Sequence, residues 1–332
     1  MSLAKQDPQV HYVRGGTQQD VYERESTVEW PCPLCGSNDA KTIKVERGVL
    51  RIVECTSCML IRVNPRLKEP EAIYQGNQAI YEEEFRMVLS GKQHHRDPVY
   101  LRDLARIERL KPSGNFLDVG TNAGSFLRLA RDRGWTLTGV EPSPQLGELA
   151  RKWWGLDIVQ GFVERLDLPK HHYDVVTMTD VFEHVVNPKE VLRALRQVIK
   201  DDGILFVKVP NARFNILKFK ARSAMGRTNQ DDFDSYEHVV HYTGETLAKM
   251  LRSGGFEPFD IFIEPPIQLP SWHHLVGHYY QHTSPFLLDW KTQAAREALY
   301  RLAFVEKLVA RRVGWLGPNI GALARPLPQS GQ

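Results

Sequence analysis

The chain is 332 residues long, enough for one large domain or two unequal ones around a buried core, and a quarter of its residues are charged, as in ordinary globular proteins. Its formal net charge of +3 neither demands nor excludes a nucleic-acid partner. No run approaches the roughly 18 apolar residues that would span a bilayer, and the opening "MSLAKQDPQVHYVRGG" lacks the apolar centre of a secretory signal, so the cytoplasm is the expected compartment.

In chain order, residues 1–27 are polar and expected to be loosely ordered. Residues 28–66 hold all four cysteines, Cys32, Cys35, Cys55 and Cys58, as two C-x2-C pairs separated by nineteen residues. That is the spacing at which two turns each present a pair of sulfurs to one tetrahedral zinc ion. Between the pairs, "KTIKVERGVLRIVEC" predicts a two-stranded hairpin turning at Arg47-Gly48. Disulfides and free thiols are the competing readings, and the missing secretory signal speaks against disulfides. Four thiolates leave no open coordination position, so the zinc is expected to be structural. The module ends at Asn64-Pro65, a turn signal.

Residues 67–112 form a helical linker; "DPVYLRDLARIERLKPSG" has an N-terminal signal at Asp97-Pro98, apolar Leu101, Leu104, Ile107 and Leu110, and a stop at Pro112-Ser113-Gly114. From Asn115 strands and helices alternate. "NFLDV" reads as strand one and "SFLRLARDRG" as its helix; "TLTGVEP" as strand two, with a helix capped by Ser143 and closed by Gly155. "DIVQG" is a short strand three, "YDVVTMTD" strand four, "NPKEVLRALRQVIKDDG" a helix and "ILFVKVP" strand five. "HYTGETLAKMLRSGGF" predicts a further helix leading into "EPFDIFIEP", and "GPNIGALARP" the last strand. Strands separated by single helices predict an α/β, Rossmann-like, doubly wound and mostly parallel seven-stranded sheet over residues 113–332, with ligands at the carboxyl ends of its strands.

The turn after strand one, "DVGTNAGSF", decides between cofactor classes. A dinucleotide site wants G-x-G-x-x-G, and two of those three glycines are absent. An S-adenosylmethionine loop reads acidic-x-G-x-G-x-G, and Asp118, Gly120, Asn122 and Gly124 match it with one glycine replaced. Asparagine tolerates a left-handed backbone best among the substitutes. Glu141, ending strand two, stands where an acid can accept both ribose hydroxyls.

With these pieces in hand, the stretch from about Phe116 to Phe256 resembles the class I S-adenosylmethionine-dependent methyltransferases of the group that includes the ubiquinone-biosynthesis O-methyltransferases. The matching pieces are "FLDVGTNAGSF", "GVEPSP", "YDVVTMTDVFEHVVNPKEVL", "DGILFVKVPN" and "HYTGETLAKMLRSGGF". A four-cysteine module ahead of such a domain resembles sugar and polysaccharide methyltransferases. The resemblance implies that Gly120, Thr121, Asn122 and Gly124 line the methionyl part of the cofactor above Asp118, that Glu141 holds the ribose, and that Phe162 and Val163 flank the adenine. Thr179, ending strand four, joins the same implied set.

Methyl transfer needs an acceptor atom aligned with an already electrophilic methyl carbon and, for oxygen, removal of a proton. Histidine suits that removal at neutral pH. Asp180, Glu183 and His184 follow strand four, and His238 and His241 follow strand five; His184, with Asp180, Glu183 and His241, is the candidate catalytic set. His184 also reads as a capping or packing residue. The spacing D-x-x-E-H is similar to a divalent-ion arrangement of some related O-methyltransferases, which would make Asp180, Glu183, His184 and either His238 or His241 ligands. The acid–base reading is preferred because Asp180 is shorter than the glutamate that this pattern carries.

The histidines and aromatics of "SWHHLVGHYYQHTSP" read equally as a lid over a ring or sugar and as a partly buried surface helix. "DWKTQAAREALYRLAFVEKLVARRVGW" predicts a basic amphipathic helix, part of a helical insertion at about 265–315, that packs on its own domain or lies on an anionic membrane surface. The expected function is methyl transfer to a small-molecule or glycan acceptor, on oxygen. An RNA methyltransferase clamping nucleic acid with the zinc module is one alternative, although no base-methylating tetrapeptide follows strand four. A zinc-containing binding protein that has lost the cofactor is the other, and intact Asp118 and Glu141 speak against it.

Overall fold

The computed structural model describes residues 22–69, 96–227, 231–264 and 314–328, with isolated helical positions at 86, 88 and 89 and between 298 and 309. Strand β1 (Thr27–Val28) precedes the first knuckle, and β2 (Ala40–Glu46) and β3 (Leu50–Cys55) form the expected hairpin. Its turn is left-handed at both Arg47 and Gly48, which lets a tight turn follow the strands' twist. Strand β4 (Ile61–Val63) pairs with β3, and β5 (Arg66–Leu67) returns to pair with β1.

Helix α1 (Asp97–Glu108) starts where the Asp-Pro signal puts it and buries Tyr100, Leu104 and Ile107 against Phe116, Phe126 and Phe206. Each such side chain contributes about 1.5–3 kcal/mol by leaving water. The core then runs β6 (Gly114–Val119), α2 (Leu127–Ala130), β7 (Trp135–Glu141), α3 (Pro144–Trp154), β8 (Ile158–Gln160), β9 (Tyr173–Thr179), α4 (Pro188–Val198) and β10 (Ile199–Pro210). It closes with α5 (Ala212–Ala224), β11 (Val240–His241), α6 (Gly244–Ser253), β12 (Phe256–Glu264) and β13 (Asn319–Pro326). Seven strands lie in the order β12-β13-β10-β9-β6-β7-β8; β10 to β8 are parallel, and β13 is antiparallel to both its neighbours. The chain leaves β6 toward β7 and β8, then crosses back to β9 on its other side. The crevice at that switch point lies outside the carboxyl ends of β6 and β9.

Local chemistry explains the helix ends. Ser143 Oγ accepts from Leu146 N, and Gly155 closes α3 in the left-handed conformation. Thr243 and Thr246 cap α6 reciprocally. Helix α4 turns Val191, Leu192, Leu195 and Val198 into the core. Two expectations change in detail. The helix after strand one is a single turn, Leu127–Ala130, and α5 occupies a stretch for which the sequence reading placed no element. Alpha-helical spacing is weak in α5 because Lys218, Lys220 and Arg222 interleave with its apolar residues.

The cysteine module is not an appendage. Its sheet runs β11-β4-β3-β2, so β11, which belongs to the chain after strand five, completes it. The amines of Lys189 and Lys249, on α4 and α6, donate to the carbonyl oxygens of Leu34 and Cys58 at 2.6 and 3.4 Å and clamp both knuckles. The histidine-rich segment 271–282 and most of the expected helical insertion at about 265–315 lie outside the described residues. No helix among the described residues is long and apolar enough to cross a membrane.

One buried ion pair ties α1 to the sheet. Lys208 Nζ, on β10, donates to Asp103 Oδ2 at 2.5 Å, with both side chains almost wholly buried. Removing one partner strands the other charge in the core. Asp103→Ala is therefore expected to cost about 3–5 kcal/mol in chemical denaturation, and a loss below about 1 kcal/mol would mean that the pair does not carry this contact.

Candidate active site

The loop after β6 owes its shape to left-handed residues: φ is +70° at Gly120, +56° at Asn122 and +84° at Gly124. A side chain at Gly120 would also place Cβ 2.5 Å from Val181 Cγ2, so glycine is required there on two grounds. Glu141 ties the loop to the end of β7. One carboxyl oxygen accepts from Asn122 N at 2.8 Å and the other from Ser143 N at 2.9 Å. A carboxylate so held still has lone pairs for two more donors. Asp118 lies beneath, accepting from Thr177 Oγ1 at 2.6 Å. Burial pushes Asp118 up to about 6 and Glu141 to about 7.

The other expected cofactor residues divide. Thr121 is buried within the loop, and Thr179 Oγ1, at the carboxyl end of β9, is buried without a hydrogen-bond partner. Phe162 is half-exposed with the Arg165 guanidinium 4.8 Å from its ring centre, whereas Val163 is buried in the core. A left-handed loop, an acid anchored at the end of the second strand and an unpaired buried hydroxyl together fit an adenosine-type cofactor.

Asp180 takes φ +55° just beyond β9 and pairs with Arg96, which immediately precedes α1. Arg96 also reaches Tyr100 Oη at 3.2 Å. Burial pushes the Asp180 carboxyl up, but the charges of Arg96 and Lys208 outweigh it and hold it below its ordinary value. Asp180 is thus an ion-pair member, and it does not join the cluster that Glu183 and His184 make one turn later.

That cluster takes His238 as its third member. Glu183 Oε1 lies 4.0 Å from His184 Nε2 and 3.9 Å from His238 Nε2, and both Glu183 oxygens are buried without a hydrogen-bond partner. Burial, and then the charge of Asp180, push the Glu183 carboxyl well up. His184 Nδ1 lies 3.1 Å from Glu237 O, and since a carbonyl only accepts, Nδ1 carries the proton and Nε2 the lone pair. Burial lowers His184 to about 4. His241, the other expected histidine, sits one layer back: its ring is 6.3 Å from that of His238 and edge-on to Phe233 at 5.3 Å, and burial lowers it to about 3. One atom from each of Glu183, His184 and His238 lies within 4.8 Å of the others, close enough to share a proton or a divalent ion.

Sequence reasoning passed over Arg96, Tyr100, Asp103 and Lys208. The available signal was a lone lysine inside the apolar strand "ILFVKVP", which asks for a buried anionic partner.

The four cysteines converge. Cys32 and Cys58 sulfurs are 3.5 Å apart, as are those of Cys35 and Cys55, and all four lie within 4.8 Å of one another. These separations are too long for disulfides, whose sulfurs sit about 2.05 Å apart. They approach the roughly 3.8 Å edge of a tetrahedron built on 2.3 Å zinc–sulfur bonds.

A family model described as a methyltransferase domain matches residues 93–260, just over half of the chain. The chain belongs to that family. Its loop, its sheet order and this match make it a class I S-adenosylmethionine-dependent methyltransferase. Among curated relatives, the ubiquinone/menaquinone biosynthesis C-methyltransferase UbiE of Shewanella frigidimarina is 26% identical over 182 residues, 48% of this chain and 72% of that protein. UbiE of Shewanella oneidensis is 30% identical over 115 residues, 31% of this chain and 46% of that protein. The methyltransferase thus spans less than half the length of the second relative. A solved structure described as a SAM-dependent methyltransferase, from Thermotoga maritima, aligns at TM-score 0.47 and 19% identity, over 75% of this chain and 97% of its own.

Proposed function

We propose that this methyltransferase acts on a small-molecule or glycan acceptor, with an oxygen as the receiving atom, and that the Glu183–His184–His238 cluster takes the proton the acceptor gives up. The observation that carries the reading is the lone pair of His184 Nε2, left facing a buried carboxyl at the carboxyl end of β9. Bound S-adenosylmethionine supplies a methyl carbon activated by its sulfonium.

The chain's own residues do the rest. Gly120 to Gly124 and Glu141 orient the cofactor, with Thr179 Oγ1 as a further hydroxyl at the same edge. His184 Nε2 receives the acceptor proton. The Glu237 carbonyl keeps its ring oriented through Nδ1–H. Arg96 and Asp180 neutralise each other beside the cluster and close that side without adding net charge. A second reading, transfer to carbon, draws support from the relatives, which are named C-methyltransferases. Both readings need the same proton acceptor.

The four cysteines, in this proposal, bind one structural zinc. The sulfur separations support it. Metal analysis of protein prepared without chelator should return about one zinc per chain; metal-free protein with a disulfide among these cysteines would refute it.

Glu141 gives the cofactor site a pH signature. Only its ionised form can accept from two ribose hydroxyls, and in the free protein its pKa is raised to about 7. Affinity for S-adenosylmethionine should therefore fall as pH drops from 8 toward 6, approaching about tenfold per pH unit below 7. Glu141→Ala should weaken binding by about 1.5–3 kcal/mol and remove that pH dependence. Calorimetry showing a flat profile in the unsubstituted protein would exclude this role.

The transfer itself is tested by screening nucleotide-sugars and phenols with labelled cofactor and locating the new methyl group by NMR. His184→Ala should lower turnover by roughly 10²–10⁴-fold with cofactor affinity nearly unchanged. Full activity of that variant in EDTA would leave His184 as a packing residue.

A further inference from the structure

The acceptor cluster is assembled from two places far apart in sequence. Glu183 and His184 come from the 3-10 turn Phe182–His184 after β9, and His238 comes from the segment leading into β11. Two backbone groups of the later segment join it to that turn: the Glu237 carbonyl, which accepts from His184 Nδ1, and Val239, which alone of the two also reaches the cysteine module. Val239 N donates to Glu183 O at 2.9 Å, and Val239 O accepts from Val63 N at 3.0 Å. Val63 is the last residue of β4, in the cysteine module. The next two residues continue the link, with Val240 opposite Arg62 and His241 opposite Ile61. Tyr242 then returns the chain to the core: its carbonyl accepts from Ala212 N at 2.9 Å, and its ring stacks on Phe182 at 5.1 Å.

The same β4 hangs on the metal knuckles. Cys55 ends β3, its N–H donates to Leu60 O at 2.9 Å, and Cys58 lies three residues before β4 begins. A backbone path of two hydrogen bonds therefore runs from β4 through Val239 to Glu183, and His238 and His184 are the direct neighbours of its last two residues. The cofactor loop is outside this path; it hangs from β6 and β7 and is held by Val140 and Glu141.

We propose that the four-cysteine module is a positioning element of the acceptor site, holding His238 against Glu183 and His184 through the Val63–Val239–Glu183 backbone link. The inference rests on the acceptor site proposed above. It predicts that loosening the module disorders the acceptor cluster while the cofactor site stays intact. Misplacing a reacting group by about 1 Å costs on the order of 10²-fold in rate, so this separation would appear as a fall in kcat with little change in KM for the cofactor.

Proline at position 63 isolates the link, because it removes the N–H that Val239 O accepts, whereas Val63→Ala keeps it and loses only packing. Both variants are made in the full chain, and two readouts need no acceptor: S-adenosylmethionine affinity by calorimetry, and the ring carbon–proton resonances of His184 and His238. In Val63→Pro both histidine resonances should move, and move much further than in Val63→Ala, with cofactor affinity within about threefold. Removing the metal from the unsubstituted protein with a chelator should move the same two resonances, and adding zinc back should restore them. This arm decides the matter if Val63→Pro does not fold.

Unmoved histidine resonances in Val63→Pro or in the stripped protein would overturn the proposal. So would loss of cofactor binding together with the resonance shifts, since the effect would then be on the whole fold. Failure of the base assignment would look different: His184→Ala would stay active while the resonances still responded to the module.

Discussion

The fold places four carboxylates at one edge of one sheet and compensates three of them directly. Asp118, Glu141, Asp180 and Glu183 all lie at or just past the carboxyl ends of β6, β7 and β9, and Asp118, Glu141 and Glu183 are buried. Burial penalises each charge, and Asp118 further raises Glu141 as Asp180 raises Glu183. Asp118 is relieved by the Thr177 hydroxyl, Glu141 by two backbone N–H groups, and Asp180 by the Arg96 guanidinium. Glu183 alone has no hydrogen-bonded partner among the described residues, and it is the one that two imidazole nitrogens face. The distribution of compensation along the edge separates the loop side, preset by neutral donors, from the Glu183–His184–His238 side, which keeps one acid unsatisfied.

That distribution depends on elements outside the sheet. Arg96 reaches Asp180 because α1 lies across β10, and α1 is fixed there by apolar packing and by the Lys208–Asp103 pair. Lys208 in turn helps hold Asp180 ionised. A lysine that packs a helix thus also contributes, after Arg96, to the ionisation of Asp180 beside the Glu183–His184–His238 cluster. Ridge packing alone would place the helix without controlling that charge.

The cysteine module enters the same edge from the other direction. Strand β11 is only two residues long, yet it joins the module's sheet to the chain segment that carries His238 and His241. A short strand gains little from its own pairing. Its position is determined by what flanks it: the turn at Glu183 on one side, β4 on another, and the Asn211–Tyr242 bridge beyond. Residues 28–66 of the module lie outside the matched region 93–260, but their strand β4 pairs with β11, which carries His241 and follows His238.

The order and type of the core strands, the left-handed loop at Gly120, Asn122 and Gly124, the capping at Ser143 and the convergence of four cysteines were all legible in the sequence. Each depends on neighbours a few residues apart, or on the C-x2-C spacing of paired knuckle turns. The contents of the Glu183–His184–His238 cluster were not. Asp180, Glu183 and His184 share one short segment, but which of them meets a later histidine depends on backbone direction after β9. There Asp180 turns left-handed and pairs with Arg96, and Glu183 and His184 lie against His238. His238 rather than His241 completes the cluster because pairing with β4 fixes His241 opposite Ile61, one layer behind. Local sequence determined the strands, turns and ligand spacings. Contacts between residues more than fifty positions apart decided which side chains meet, because each is set by packing that no short window of sequence contains.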